Sequence, residues 1–141
     1  MEKFYCQCKK HKLRVTPQRV AIYQALRQDR THPTADAVYQ NVKAECSNIS
    51  LDTVNRTLIK FAEIGFIDTV ACSGQGKKYD PNNKLHHHLK CIKCGKIIDF
   101  YNKKYDKLNV PENIEEGFTV ISKKVVLTGI CKKCLSKKDK K

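Results

Sequence analysis

The fold of the first half of the chain is decided by residues 50–79, which read SLDTVNRTLIKFAEIGFIDTVACSGQGKKY. Apolar residues recur there at the spacing of one face of a helix. These are Leu51, Val54, Leu58 and Phe61. Gly65 is a natural stop for that helix, and beyond it Phe66–Cys72 and Lys77–Tyr79 flank the turn signature Ser73-Gly74-Gln75-Gly76. The stretch therefore predicts a helix followed by a two-stranded hairpin.

Earlier helices are predicted because two segments carry capping residues. Thr16 caps a helix with Pro17 at its first position, which runs to about Gln28. Thr34 caps the next helix, and Ser50 stands at the start of the helix that contains Leu51, Val54, Leu58 and Phe61. A further helix is expected before His11. Three helices followed by a hairpin are typical of a winged helix, in which the last helix, here Leu51–Ile64, enters the major groove of DNA.

The second half of the chain predicts a smaller, β-rich module behind a hinge at Asp80–Lys84. The expected strands are Leu85–Leu89, Lys96–Phe100 and Thr119–Leu127, with a helix near Asn102–Leu108. The predicted fold class is α+β. It has an N-terminal winged-helix domain with the hinge at residues 1–83, and a C-terminal α/β domain at residues 84–141.

The composition points to a polyanionic partner. The 141 residues carry a formal net charge of +14, and nucleic acid is the first candidate for so basic a chain. The surplus is 5 over residues 1–80 and 9 over residues 81–141, so it does not mark one DNA-reading patch, and the terminal run Lys137–Lys141 is expected to fray. No apolar run approaches a membrane span and no secretory signal stands at the start, so a cytoplasmic protein is expected.

Two CxxC pairs carry the clearest chemistry. They are Cys91, Cys94, Cys131 and Cys134. Four thiolates at this spacing can close a tetrahedral site, so we expect structural Zn(II). Disulfides do not suit a reducing compartment, and a redox motif would explain one pair only. The metal would join the start of a 58-residue module to its end. Cys6, Cys8, Cys46 and Cys72 receive no role.

A histidine triplet precedes the first of these pairs. On a strand, His86 and His88 face one side and His87 the other. Metal binding and a solvated polar edge are both open for the triplet by itself. His32, Asp80 and Asp99 are further ligand types, but their spacing alone does not bring them together.

Several motifs, in this order along the chain, resemble the ferric uptake regulator (Fur) family from about Lys12 to Cys134. They are Arg14-Val-Thr-Pro-Gln-Arg19, His32-Pro-Thr-Ala-Asp36, Ser50-Leu-Asp-Thr-Val54, His86-His-His-Leu-Lys-Cys-Ile-Lys-Cys-Gly95 and Asp99-Phe100. The resemblance implies a homodimeric, metal-dependent repressor that binds a palindromic operator. Its C-terminal domain would be the dimerisation domain.

The resemblance also implies a regulatory metal site. Its positions correspond to His32, Asp80, His86, His88 and Asp99, and aspartate at both carboxylate positions resembles the peroxide-sensing branch of the family. Zinc sensors usually have cysteine at the position of Asp80, and iron sensors have glutamate at that of Asp99. Such a mixed N/O set suits Fe(II) or Mn(II). Metal-catalysed oxidation of His32 or His86 would then be the signal. An iron-responsive regulator of the same family is the closest rival.

The outer residues of the last helix are Asn55, Arg56 and Lys60, which we expect to contact DNA. Asparagine can pair with adenine, and arginine with guanine or phosphate. Arg14 resembles the basic residue of the family that enters the minor groove, whereas Asn55 replaces the usual tyrosine. Two other classes remain open. A non-haem iron enzyme would need a catalytic constellation that the sequence lacks, and a zinc-ribbon RNA module would need an aromatic stacking strand.

Overall fold

The computed structural model describes residues 1–72, 76–115 and 117–137, and the chain forms two compact units, Met1–Asn83 and Lys84–Lys141. Most of the expected turn at 73–76 and of the terminal lysine run lies outside the described residues. No helix among those that the structure describes is long and apolar enough to cross a membrane. The mixture of helices and small sheets confirms the α+β prediction.

Four helices begin the first unit, and the sequence predicted all of them. They are α1 (Glu2–Lys10), α2 (Pro17–Gln28), α3 (Ala35–Lys43) and α4 (Leu51–Glu63). The side chains of Thr16, Thr34 and Ser50 each accept a hydrogen bond from the backbone N–H three residues on, at 3.3, 3.3 and 3.1 Å. Each cap satisfies an N–H group that the helix itself leaves without a partner. The caps predicted at Thr16 and Thr34 are confirmed, and Ser50, predicted as the start of its helix, also caps it.

An antiparallel hairpin of β1 (Asp68–Cys72) and β2 (Gly76–Asp80) follows α4. The first strand begins two residues later than expected, because the N–H groups of Phe66 and Ile67 both donate to the Phe61 carbonyl. Gly65, with φ +69°, permits this tight helix end. Asp80 was expected in a hinge but belongs to β2, where its partner across the hairpin is Asp68.

An aromatic cluster fixes α4 inside the first unit. Phe4 stacks on Tyr23 and Tyr23 lies against Phe66, both at 4.7 Å between ring centroids. Phe61 of α4 packs against Phe66 at 5.4 Å and is fully buried. Leu51, expected inside, is only partly buried because it is the first residue of α4, whereas Thr57 is buried. The opposite face of α4 is thereby held towards solvent.

The second unit is built on a three-stranded sheet with short helices. Its elements are β3 (His87–Cys91), β4 (Ile97–Phe100), α5 (Lys103–Asp106), α6 (Glu112–Glu115), β5 (Val126–Gly129) and α7 (Lys132–Ser136). The strand order is β4-β3-β5, with β3 antiparallel to β4 and parallel to β5. The predicted helix near Asn102–Leu108 is confirmed as the shorter α5, capped by the side chain of Asn102. α6 and α7 were not predicted.

Two strand predictions in this unit were wrong in their bounds. β3 runs from His87 to Cys91 rather than from Leu85 to Leu89, since its last residue pairs with Gly129 of β5. β5 begins at Val126 rather than at Thr119. The N–H group of Val125 donates to the side chain of His87 at 3.1 Å instead of to a neighbouring strand, and residues 119–125 form no regular ladder.

Little apolar surface is buried within the second unit. Among its described residues, the buried apolar side chains are Cys91 and Ile97, and the other buried side chains are the three histidines. Ile98, Leu89 and Leu127 lie side by side across the three strands, and each remains about two-fifths exposed. One face of this sheet is therefore apolar and open in the single chain.

Candidate metal centres and nucleic-acid interface

Four cysteines converge at one end of the sheet in the second unit. Cys91 ends β3, and Cys94 lies in the following turn, which the backbone bond from Gly95 N–H to the Cys91 carbonyl closes at 2.9 Å. Cys131 is the N-terminal cap of α7, and Cys134 lies within it. Their four sulfur atoms all lie within 4.8 Å of one another. The fold thus brings together both pairs that the sequence singled out.

The sulfur geometry fits a tetrahedral metal ion. Sulfur atoms that bind one Zn²⁺ at about 2.3 Å lie about 3.8 Å apart, and the Sγ atoms of Cys94 and Cys131 are 3.7 Å apart. The backbone N–H groups of Cys131 and Cys94 lower the pKa of the Cys91 thiol to about 6. The side-chain hydrogen bond with Cys131, together with burial, raises the pKa of Cys134 to about 12. All four groups can be thiolates at once only when a cation balances their charge.

A second cluster lies at the start of the same sheet. Asp99 stands directly opposite His88 in the β3–β4 register, so both side chains emerge on one face. The Nε2 atoms of His86 and His88 are 2.9 Å apart, and the Oδ1 atom of Asp99 lies 3.6 and 3.4 Å from them. Ligands that bind one ion at right angles at about 2.1 Å are about 3.0 Å apart. These three atoms therefore fit the coordination of a single metal ion.

The tautomer of His86 leaves its Nε2 atom able to bind a metal ion. Its Nδ1 atom lies 2.6 Å from the carbonyl oxygen of Lys84, and a carbonyl only accepts, so Nδ1 carries the proton. The Nε2 lone pair of the neutral ring then points towards His88 and Asp99. A backbone partner of this kind holds metal-binding imidazoles in one tautomer and orientation.

His87 takes the opposite tautomer and has a structural role that the sequence did not reveal. Its Nδ1 accepts from the N–H of Val125, so Nε2 carries the proton and donates to Asp106 at 2.8 Å. The ring is fully buried and lies against Phe100 and Tyr105. Because all three histidines of the triplet are buried, the solvated-edge interpretation is wrong.

In the first unit, His32 and Asp80 form a buried pair. His32 Nε2 lies 3.8 Å from Asp80 Oδ2, and both side chains are almost wholly buried. The loop that carries His32 is held beside β2 by the bond from Tyr79 N–H to the Pro33 carbonyl at 3.0 Å. His32 has φ +57°, a left-handed conformation that costs a residue with a Cβ atom about 1–2 kcal/mol. Such strain is typical of functional positions.

The outer face of α4 carries the residues expected to contact DNA. Arg56 and Lys60 are exposed and Asn55 is half-buried, while Arg14 is exposed before α2. Arg56 is paired with Asp52, and Lys60 with Glu63 at 3.1 Å. These acidic partners were not predicted from the sequence, although their spacing of four and three residues is the usual one for helix ion pairs.

The other cysteines described by the structure stand outside both clusters. Cys8 is buried in the core of the first unit, and this burial raises the pKa of its thiol. Cys6 is exposed on α1, and Cys46 packs partly against the core. The side chain of Cys72 lies outside the described residues.

The chain is similar to known proteins of one family along most of its length. The model of the "Ferric uptake regulator family" matches residues 10–128. The peroxide-responsive repressor PerR of Staphylococcus epidermidis is 33% identical over 134 residues, covering 95% of this chain and 89% of that protein. The structure is similar to the Helicobacter pylori ferric uptake regulator Fur, with a TM-score of 0.74 at 25% identity over 95% of this chain and 90% of that one. It is also similar to the Campylobacter jejuni peroxide stress regulator, with a TM-score of 0.69 at 34% identity over 89% and 95%.

The match covers most of the chain, and the fold, a winged helix followed by an α/β domain with a cysteine cluster, is that of the same family. Its regulators are dimeric DNA-binding proteins, and they are not enzymes, so the enzyme alternative is set aside. The chain belongs to the ferric uptake regulator family of metal-dependent transcriptional repressors.

Proposed function

We propose that this protein is a peroxide-responsive repressor that binds a palindromic operator as a homodimer in the cytoplasm. The observation that carries the proposal is the position of Asp99 opposite His88, where a short carboxylate completes a set of two imidazole nitrogens and one oxygen. The names of the Staphylococcus epidermidis and Campylobacter jejuni relatives support the same branch of the family.

The proposed metals follow the chemistry of the two donor sets. Cys91, Cys94, Cys131 and Cys134 would hold structural Zn(II), because four sulfur ligands leave no position open for chemistry. His32, Asp80, His86, His88 and Asp99 would hold regulatory Fe(II) or Mn(II), since mixed imidazole and carboxylate ligands suit these ions. The metals named in the structures of relatives, among them a manganese-bound ferric uptake regulator from Pseudomonas aeruginosa, agree with this choice.

The signal would be oxidation of the protein's own ligand. Bound Fe(II) would supply electrons to peroxide one at a time, and it would be regenerated at the end of the reaction. In the net reaction one peroxide oxygen would be inserted into a ring C–H bond of His32 or His86, and the other would leave as water. His32 and Asp80 belong to the first unit, and the other three ligands to the second. An ion bound by all five would couple the two units, and loss of one imidazole would weaken that coupling.

The DNA-binding surface would be α4 together with Arg14. Asn55 and Arg56 would read base edges, and Lys60 would contact phosphate. Each compact unit would have its own role: residues 1–83 would bind DNA, and residues 84–141 would form the dimer. The open apolar row of Ile98, Leu89 and Leu127 supplies a surface for such a dimer.

The test is peptide mass spectrometry after treatment with dilute peroxide. Protein loaded with Fe(II) is expected to gain one oxygen atom on the peptide containing His32 or His86, and Mn(II)-loaded protein is expected to gain none. Oxidation of both forms alike, or of neither, would contradict the proposal. DNA binding that follows iron supply without histidine oxidation would instead support the iron-responsive alternative.

A further inference from the structure

The outer face of α4 carries four exposed charges that cancel. Asp52 pairs with Arg56 four residues later, and Lys60 pairs with Glu63 three residues later. A helix that enters a groove lined by phosphates usually gains affinity from unpaired cations. Here each of the two cations on this face already has an acidic neighbour on the same helix.

The two pairs differ in their geometry. The Oδ2 atom of Asp52 accepts from both Nε and Nη2 of Arg56, at 2.8 Å from Nε. One edge of the guanidinium is thereby occupied, and the N–H groups at its far end remain available. Arg56 is 78% exposed and Asp52 is 66% exposed, so that far end is open to solvent. Lys60 makes a single contact through its ammonium group.

An arginine held in this way is prepared for a guanine. Bidentate recognition of guanine O6 and N7 needs two N–H groups of one guanidinium in a fixed plane. A free arginine loses rotamer freedom when it is fixed, whereas a guanidinium already held by a neighbour loses less. The carboxylate also repels phosphate, which lowers the affinity of the same helix for DNA of any sequence.

We propose that Asp52 is a positioning residue that orients Arg56 for guanine and suppresses sequence-independent binding of α4 to phosphate. The proposal rests on the proposed function, in which α4 reads DNA. It makes Asp52 a determinant of operator choice, although the carboxylate itself contacts no base.

The Lys60–Glu63 pair provides a matched control on the same helix. Glu63→Gln and Asp52→Asn each remove one negative charge and each release one cation. Only Asp52→Asn releases a planar guanidinium from a fixed orientation. A difference between the two variants therefore reports orientation rather than charge.

The experiment uses the Mn(II)-loaded full-length protein and two duplex probes. One duplex is selected by the unaltered protein from a randomised library, and the other is its scrambled form. Affinities are measured over a range of salt concentrations, and thermal melting checks the fold of each variant. Both variants are expected to steepen the slope of log affinity against log salt by about 0.9, the value for one more phosphate contact. Asp52→Asn alone is expected to lower the selected-to-scrambled affinity ratio, by about threefold to tenfold.

Arg56→Ala tests whether Arg56 itself reads DNA, independently of whether Asp52 orients it. We expect Arg56→Ala to lower the ratio, and Asp52→Asn to have no further effect on the ratio in that background. Equal ratios for Asp52→Asn and Glu63→Gln, with Arg56→Ala lowering the ratio, would overturn the role of Asp52 alone. No effect of Arg56→Ala, or no sequence selected by the unaltered protein, would overturn the reading role of Arg56 as well.

Discussion

Replacing Cys134 by serine should unfold the second unit while leaving the first unit folded. The reason is the balance of forces in residues 84–141. Cys91 and Ile97 are the buried apolar side chains among the described residues of this unit, and a pair of such side chains stabilises a fold by only a few kcal/mol. We therefore expect the proposed zinc to supply most of the stability of this unit.

The magnitudes support that expectation. A unit of 58 residues has a net stability of about 3–9 kcal/mol at the usual value per residue. Zinc binding to small cysteine sites contributes about 10–16 kcal/mol near neutral pH. The four sulfur atoms lie within 4.8 Å of one another and join β3 to α7. Loss of one ligand is expected to release the zinc, and the free energy lost with the ion exceeds the net stability of the unit.

The assay combines zinc content with hydrogen exchange. Cys134→Ser is expected to lose about one zinc per chain, and the amides of β3 and β5 should exchange freely while those of α2 and α4 stay protected. Cys6→Ser is the control, because Cys6 is exposed on α1 and remote from the cluster in sequence. A Cys134→Ser protein that keeps its zinc and the protection of β3 would show that the four-cysteine site does not hold this unit together.

Further predictions concern the regulatory site, the fold of the second unit and the reading helix. Asp99→Glu should retain metal-dependent DNA binding but slow peroxide inactivation by about tenfold, because a longer carboxylate changes the ligand geometry; equal sensitivity to that of the parent would argue against this role. His87→Phe should destabilise the second unit by about 1–3 kcal/mol in urea unfolding, since the Val125 N–H and Asp106 both lose their partner; an unchanged midpoint would exclude that role. Asn55→Ala should relax base preference at one position, a loss of about 1–3 kcal/mol of discrimination, and an unchanged footprint would remove Asn55 from base reading.

Local signals in the sequence predicted the helices of the first unit. The caps at Thr16, Thr34 and Ser50 each depend on a hydrogen bond between residues only three positions apart in the sequence. The local sequence is therefore sufficient to find them. The start of β5 depends instead on the hydrogen bond between Val125 and His87, which are 38 residues apart. No local pattern around residues 119–127 contains that partner.

In the candidate sites too, features set by the local sequence were predicted, and features set by distant residues were not. The CxxC spacing predicted the four cysteines directly, because each pair lies within one turn. Alternation along a strand separated His86 and His88 from His87, but it did not reveal that His87 binds Asp106, 19 residues away. The left-handed backbone of His32 is also a property of the folded loop rather than of its sequence.

In the proposed function, peroxide acts through the metal at the histidine–aspartate site. The most direct test measures release of a selected duplex by dilute peroxide from Fe(II)-loaded and Mn(II)-loaded protein, each with the cysteine site filled by zinc. The Fe(II)-loaded protein is expected to dissociate from DNA, and the Mn(II)-loaded protein is expected to stay bound. Release of both at the same peroxide concentration, or of neither, would contradict the proposed function.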